Sequence, residues 1–87
     1  MANVHLPGTL TPLFPGLPRH VDVEADTVGA AIAELELRWP GLQDRLCDPG
    51  PNLRTHIHVY VDRERATLDT ALAAGSRMDV IAAISGG

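Results

Sequence analysis

Apolar and polar positions alternate in three stretches of the chain, and a period of two residues predicts β-strands with one buried face. These stretches are residues 3–7, residues 20–23 and residues 55–61. The third is the clearest, because Ile57, Val59 and Val61 face one way while polar and aromatic side chains face the other. Residues 8–18 join the first two strands and contain three prolines and two glycines, which is typical of a hairpin connection.

One longer segment repeats its apolar residues with a helical period. These residues are Val28, Ile32, Leu35 and Trp39. Their spacing places them along one stripe of an α-helix, which is the stripe that a core-facing helix buries. Asp26 and Thr27 are both suitable N-caps, and the Pro-Gly pair at residues 40–41 ends the helix. Residues 42–46 are predicted to form one further helical turn.

The remaining sequence predicts two more strands. Residues 62–65 read as a polar turn, and residues 67–74 as a short strand that leads into a helical turn. Residues 78–84 are apolar enough for a strand at the centre of a sheet. We therefore expect an α+β domain over residues 1–84, with a mixed sheet of four to five strands and one main helix on one face. This order matches the β-grasp, or ubiquitin-like, arrangement, and residues 85–87 are expected to form a flexible tail.

Composition narrows the classes of function. The chain has 87 residues and a formal net charge of −4, with no block of like charges, which argues against nucleic acid as the main partner. Cys47 is the only cysteine, so no internal disulfide forms and a reducing compartment is expected. No signal peptide is visible, and no apolar run reaches the ~20 residues that cross a bilayer. These features predict a cytoplasmic protein that does not bind membranes.

Several side chains are candidates for a binding or reactive site. His56 and His58 share a strand, but no cysteine or carboxylate at ligand spacing completes a metal site. Cys47 is interpreted as a partly buried thiol near the helix end. Phe14 lies in a proline-rich turn, and together with Ile81 and Ile84 it could form an apolar patch for a protein partner.

The chain ends in Gly86 and Gly87, and this ending carries the strongest chemical signal. A carboxylate is a poor electrophile and must first be activated, most simply as an acyl-adenylate made from ATP. An activating enzyme has to bring the chain end close to its nucleotide. Glycine has no Cβ, so the backbone can pass through a narrow channel and approach the nucleotide closely.

Several motifs together resemble the MoaD/ThiS family of ubiquitin-like sulfur carriers. They are Asp26-Thr27-Val28-Gly29, Leu46-Cys47-Asp48-Pro49, His56-Ile57-His58-Val59-Tyr60-Val61, Ala74-Gly75-Ser76 and Gly86-Gly87. The resemblance covers nearly the whole chain and is strongest to the carrier branch of cysteine biosynthesis. Three positions depart from the common pattern, where many relatives carry asparagine at Asp62, aspartate at Ser76 and proline at Ala82.

The resemblance implies a mechanism in which the chain is a protein co-substrate and not an enzyme. A ubiquitin-activating-like enzyme would use ATP to adenylate Gly87, and sulfide or a persulfide would displace AMP to leave a thiocarboxylate. A sulfur-accepting synthase would then receive the sulfur, with a sulfurtransferase as a further partner. Gly86 would give access to the reacting end, and Ser85 would join the apolar patch in contacting partners. No cofactor would be bound permanently.

Two alternatives share the same sequence features. A protein modifier would use the same activated end to form an isopeptide bond with a lysine of a target protein. A β-grasp binding module would not use its C-terminal glycines at all. All seven basic residues of the chain are arginines, so the chain itself offers no lysine to a modifier.

Overall fold

A five-stranded mixed sheet with a helix against one face organises the computed structural model, which describes residues 1–49 and 52–82. The strands are β1 (Ala2–His5), β2 (His20–Val23), β3 (Cys47–Asp48), β4 (Asn52–Leu53), β5 (Ile57–Val61), β6 (Glu64–Ala66) and β7 (Arg77–Ala82). The helices are α1 (Val28–Arg38) and α2 (Leu42–Leu46), and a 3-10 turn spans Thr11–Leu13.

The main sheet has the strand order β2-β1-β7-β5-β6. β1 is antiparallel to β2 and parallel to β7, whereas β5 is antiparallel to both β6 and β7. The last strand of the chain therefore lies at the centre of the sheet, as its apolar composition predicted. The expected mixed sheet of four to five strands with one main helix is confirmed.

Helix α1 begins at a side-chain cap and buries the predicted stripe. The hydroxyl of Thr27 accepts a hydrogen bond of 3.1 Å from the backbone N–H of Ala30, which satisfies one of the donors that the first turn leaves unpaired. Val28, Ile32 and Leu35 are almost fully buried. The helix period thus gave both the position and the orientation of α1 correctly.

One apolar cluster fills the space between the helices and the sheet. Its largest fully buried side chains are Ile32, Leu35, Leu42, Leu46, Met78, Val4, Val23, Val28 and Val59. They come from both helices and from four strands of the main sheet. Because most elements share this core, each strand is fixed relative to its neighbours by packing as well as by backbone pairing.

The prediction for residues 67–74 was wrong, since the short strand is β6, which ends at Ala66. Asp62 and Arg63 have φ angles of 49° and 74°, as a type I′ turn requires, and so the hairpin closes within two residues. The segment after β6 instead meets the start of α1. The carbonyl of Leu68 accepts from the N–H of Gly29 at 2.8 Å, and that of Thr70 accepts from Val28 at 3.0 Å.

A second, two-stranded sheet follows α2, in a segment for which the sequence predicted no strand. Cys47 pairs with Leu53, and Asp48 pairs with Asn52. Two residues per strand are too few to show an alternating pattern, so the sequence carried no signal for this hairpin.

Candidate functional site

Strand β7, which precedes the C-terminal residues of the chain, lies at the centre of the five-stranded sheet. Met78 and Val80 point into the core, and the strand pairs with β1 on one side and β5 on the other. Ala82 is the last described residue of this strand. Four predicted site residues lie outside the described residues: Ile84, Ser85, Gly86 and Gly87. Their roles therefore stay predictions.

The sheet face opposite the helices carries a row of polar and aromatic side chains that crosses all five strands. Strand register aligns the row as His20, His5, Asp79, Tyr60 and Arg65. The ring centroids of His5 and His20 lie 4.1 Å apart, and the guanidinium carbon of Arg65 lies 5.9 Å from the centre of the Tyr60 ring. We refer to this surface as the outer face. Backbone pairing fixes its spacing, so a partner would meet a preformed surface.

Charge on the outer face is concentrated around β7. The Nε of Arg77 donates to both carboxylate oxygens of Asp79 at 3.0 Å. Burial lowers the pKa of His5 from its ordinary value of 6.5, and the neighbouring Arg77 and His20 lower it further, while Asp79 opposes them. This shift in pKa favours the neutral form of the His5 ring.

Ile81, which was predicted to contact a partner, lies on the outer face directly opposite His58. Its side chain is 46% exposed, an unusual exposure for a large apolar residue in a central strand. The Nδ1 atom of His58 is buried and has no hydrogen-bond partner in the described part of the chain. Alternation along β5 predicted that His58 faces away from the core, but it could not show that one ring nitrogen is shielded.

Phe14, the other described residue predicted for partner binding, lies in the connection between β1 and β2. Its side chain is partly buried against the core cluster, and its Cε1 would lie 3.5 Å from a Cβ placed on Gly41. Gly41 joins α1 to α2, on the helix side of the sheet. The structure thus places Phe14 and Ile81 on different sides of the sheet, and a role for each in partner binding stays a prediction.

Other chemistry-bearing groups are less suited to a reaction. Burial is the main cause that raises the pKa of the Cys47 thiol, Arg54 opposes it, and Asp48 raises it further. A raised pKa disfavours the thiolate, which is the nucleophilic form. Within residues 1–49 and 52–82, no three His, Cys, Asp or Glu side chains are grouped to hold a metal ion. Neither described helix has the length and apolar character needed to cross a membrane.

A groove of about 740 Å³ beside β7 was missed by the sequence analysis. It runs from residues 6–9 of the connection after β1 to the end of β7, and Arg19, Arg63 and Arg77 contribute to its walls. These arginines are far apart in the sequence, and only the pairing of β1 and β5 with β7 brings them together. A sequence pattern could have shown the turns that contain them, but not their proximity.

Solved structures share this architecture over the full domain. The crystal structure of Mycobacterium tuberculosis CysO has a TM-score of 0.85 at 32% identity and covers 97% of this chain and 100% of that chain. CysO in the Amycolatopsis orientalis BexX/CysO complex has a TM-score of 0.87 at 26% identity, with 100% of both chains covered. The fold is therefore that of a ubiquitin-like β-grasp protein, as predicted.

Sequence similarity then defines the family. The sulfur carrier protein CysO of M. tuberculosis is 33% identical over 91 residues, covering 98% of this chain and 97% of the relative. The small archaeal modifier protein 1 of Haloferax volcanii is 38% identical over 68 residues, covering 77% of this chain and 78% of the relative. The model of the ThiS family matches residues 4–87. The chain belongs to the ThiS family, whose members are small protein carriers rather than enzymes, and the predicted resemblance is confirmed.

Proposed function

We propose that the chain carries sulfur as a thiocarboxylate at Gly87. The observation that carries this proposal is the similarity to a sulfur carrier protein over 98% of the chain, with a family match that extends through the terminal Gly86-Gly87 pair. The reacting group would be the free carboxylate of Gly87. The folded domain would supply the recognition surface.

The chemistry requires two steps at one carbonyl carbon. The Gly87 carboxylate attacks the α-phosphorus of ATP, which forms an acyl-adenylate and releases pyrophosphate. A hydrosulfide anion then attacks the acyl carbon, and AMP leaves with the electron pair of the carbon–oxygen bond. The resulting thioacid loses its single proton to solvent and becomes a thiocarboxylate. No described side chain of the carrier is required for either step, so catalysis belongs to the activating enzyme.

The proposed partners follow from this sequence of steps. A ubiquitin-activating-like enzyme supplies the ATP site, and a sulfur-accepting synthase takes the sulfur to its product. The exposed Ile81 lies on the strand that leads to the chain end, and the polar row of the outer face crosses that strand at Asp79. A partner that docks on this face would therefore already be close to the group on which it acts.

Intact-protein mass spectrometry tests the proposal directly. The chain is incubated with an activating enzyme from its own source, ATP and sulfide, and it should gain the mass difference between one sulfur and one oxygen atom. Fragmentation should assign that gain to Gly87, and omission of ATP should abolish it. A chain that lacks Gly86 and Gly87 is the matched control. A mass gain in this truncated chain, or none in the intact chain with an enzyme shown to be active, would refute the proposal.

A second candidate function is conjugation to other proteins, which the 38% identity to an archaeal modifier protein favours. The same acyl-adenylate would then pass to a lysine amine of a target, with AMP as the leaving group. Because the chain has no lysine, it could donate its carboxylate but could not be extended into lysine-linked chains of itself. Isopeptide remnants on lysines of other proteins would support this function, whereas thiocarboxylate without such remnants would support the carrier.

A further inference from the structure

Strand β7 is paired along only part of its length on the side of β1. The parallel register with β1 stops at the pair His5 and Asp79, whereas the antiparallel register with β5 continues to Ala82. The N–H of Leu6 donates to the carbonyl of Arg19 at 2.6 Å, which continues the pairing with β2, and the next residue, Pro7, has no N–H with which to extend the pairing with β7. Residues Val80–Ala82 therefore have a strand neighbour on one side and, within the described residues, none on the other.

The backbone of this open edge is oriented toward the groove. The N–H of Asn3 in β1 donates to the carbonyl of Ser76 at 2.9 Å, so Ser76 presents its backbone groups to the β1 side. Backbone direction alternates along a strand, and so Val80 and Ala82 face the same side. The parallel pair of His5 and Asp79 already engages the N–H of Val80, which leaves the carbonyl of Val80 and the backbone groups of Ala82 unpaired within the described residues. An open edge of this kind is a template for one more strand.

The groove beside the edge has the size and the walls for an extended segment. Its far wall is formed by residues 6–9, and its volume is about 740 Å³, while a paired strand needs a neighbour only ~4.8 Å away. In that wall Pro7 has no N–H and Leu6 donates its own to Arg19, so this wall cannot present a regular ladder of donors. Strand addition would therefore occur on β7.

The charged residues in the walls of the groove also favour a ligand of one charge sign. Three arginines and one aspartate line it, in a chain with a formal net charge of −4. The single aspartate, Asp79, is already held by Arg77 at 3.0 Å. The guanidinium of Arg19 lies beside Gly8, since its Cζ would be 3.7 Å from a Cβ there. The groove is therefore locally positive on an acidic protein, which favours an acidic ligand.

We propose that an extended, acidic segment of a protein partner binds in this groove and adds to the sheet as a strand beside Val80–Ala82. Main-chain hydrogen bonds would give affinity, and the arginines would select acidic side chains. The inference rests on the proposed function in one respect, because the partner is taken to be a protein that acts on the chain end. Binding at this position would hold that partner against the strand from which the C-terminal segment departs.

A synthetic peptide and nuclear magnetic resonance test the strand and the charge separately. The probe is the capped peptide Val-Glu-Val-Glu-Val-Glu, titrated into the ¹⁵N-labelled full chain. We expect saturable shifts of the Val80, Ile81 and Ala82 amides and slower hydrogen exchange of the Ala82 amide. The same peptide with lysine in place of glutamate should not bind. A version with proline in place of the valines keeps the charge but cannot complete the ladder, and it should bind about tenfold more weakly.

Charge reversal in the groove provides the test from the side of the protein. The double variant Arg19→Glu and Arg63→Glu should weaken binding of the glutamate peptide about tenfold and should remove most of its salt dependence. Arg45→Glu is the matched control, because Arg45 is exposed on α2 and lies outside the groove. It should change the affinity less than about twofold. Circular dichroism and thermal unfolding establish that all variants are folded.

Several results would overturn the inference. They are shifts centred away from the groove, equal binding of the lysine peptide, an equal effect of Arg45→Glu, and no binding at millimolar peptide. Each is independent of the sulfur chemistry, since no activating enzyme is present. Conversely, peptide binding without any Gly87 thiocarboxylate in the enzyme assay would leave the groove intact as a binding site and would refute the carrier function.

Discussion

Ser76 connects the turn before β7 to the first strand, and replacing it with alanine tests how the functional strand is anchored. Its hydroxyl accepts a 3.0 Å hydrogen bond from the N–H of Ala73. Its backbone N–H donates to the carbonyl of Ala73 at 3.0 Å, and its carbonyl accepts from the N–H of Asn3 at 2.9 Å. Ser76→Ala removes only the first of these bonds and leaves the backbone positions unchanged.

The expected cost follows from the burial of the two partners. Ser76 is 5% exposed, but Ala73 is an exposed residue, so water can reach the N–H that loses its acceptor. The loss therefore lies toward the lower end of the ~1–3 kcal/mol that an unsatisfied buried group costs, and we expect about 1 kcal/mol. For a domain of this size, such a loss lowers the Tm by about 4–8 °C.

Urea denaturation and calorimetry measure this change, and hydrogen exchange locates it. The free energy of unfolding should fall with an unchanged m-value, and the Ala73 amide should exchange faster. Thr55→Ala is the control, because Thr55 is exposed and its removal should cost less than about 0.5 kcal/mol. An equal loss in both variants, or unchanged exchange at Ala73, would show that the hydroxyl does not anchor this turn.

Three further predictions concern the helix junction, pH and the core. Gly41 has a φ of 99°, so Gly41→Ala should lower the free energy of unfolding, measured in urea, by about 1–2 kcal/mol. Gly8→Ala is the control, because no positive φ is required there, and it should change the free energy of unfolding by less than about 0.5 kcal/mol. The folded state lowers the pKa of His5, so the unfolded chain binds more protons and the free energy of unfolding should fall as the pH drops below 6.5. His5→Gln should make this fall shallower, as measured by urea titrations from about pH 7 to about pH 5. A steeper fall in the variant would contradict the sign of the shift. Leu35 is fully buried, so Leu35→Ala should cost about 2–5 kcal/mol, and a calorimetric loss below about 1 kcal/mol would contradict the assigned core.

Elements in which apolar residues recur at a regular spacing could be predicted from the sequence, because the buried face of a helix or strand must be apolar. The α1 stripe and the alternation in β5 are cases in which one face must be apolar for the element to pack. β6 was misplaced because its turn lacks the usual glycine. Asp62 and Arg63 both adopt positive φ, a conformation that Asn-Gly normally signals. Pairing with β5 stabilises this turn, and local preference alone did not predict it.

The candidate site could be predicted only where its chemistry is local in sequence. Gly86 and Gly87 are adjacent, so the chain end was identified by composition and by family resemblance. The groove depends instead on Arg19 and Arg63, which line the same groove only because of the register of the strands between them. Nor does the sequence show that the pairing of β7 with β1 ends before β7 itself does. Such features require the topology, since they are properties of neighbouring strands and not of any one segment.

The proposed reacting end, Gly87, follows closely after a central strand, and this position limits the distance over which it can reach a partner. Hydrogen bonds within a central strand open mainly with global unfolding, so β7 remains a fixed anchor while a partner draws on the C-terminal segment. Gly87 is five residues beyond Ala82, and an extended chain of five residues spans at most ~18 Å. Under the proposed function, an activating enzyme would have to place its nucleotide within about that distance of Ala82. Under the proposed function, recognition beside β7 and chemistry at Gly87 would be geometrically coupled, because a partner segment bound there would lie within about one tail length of the reacting carbon.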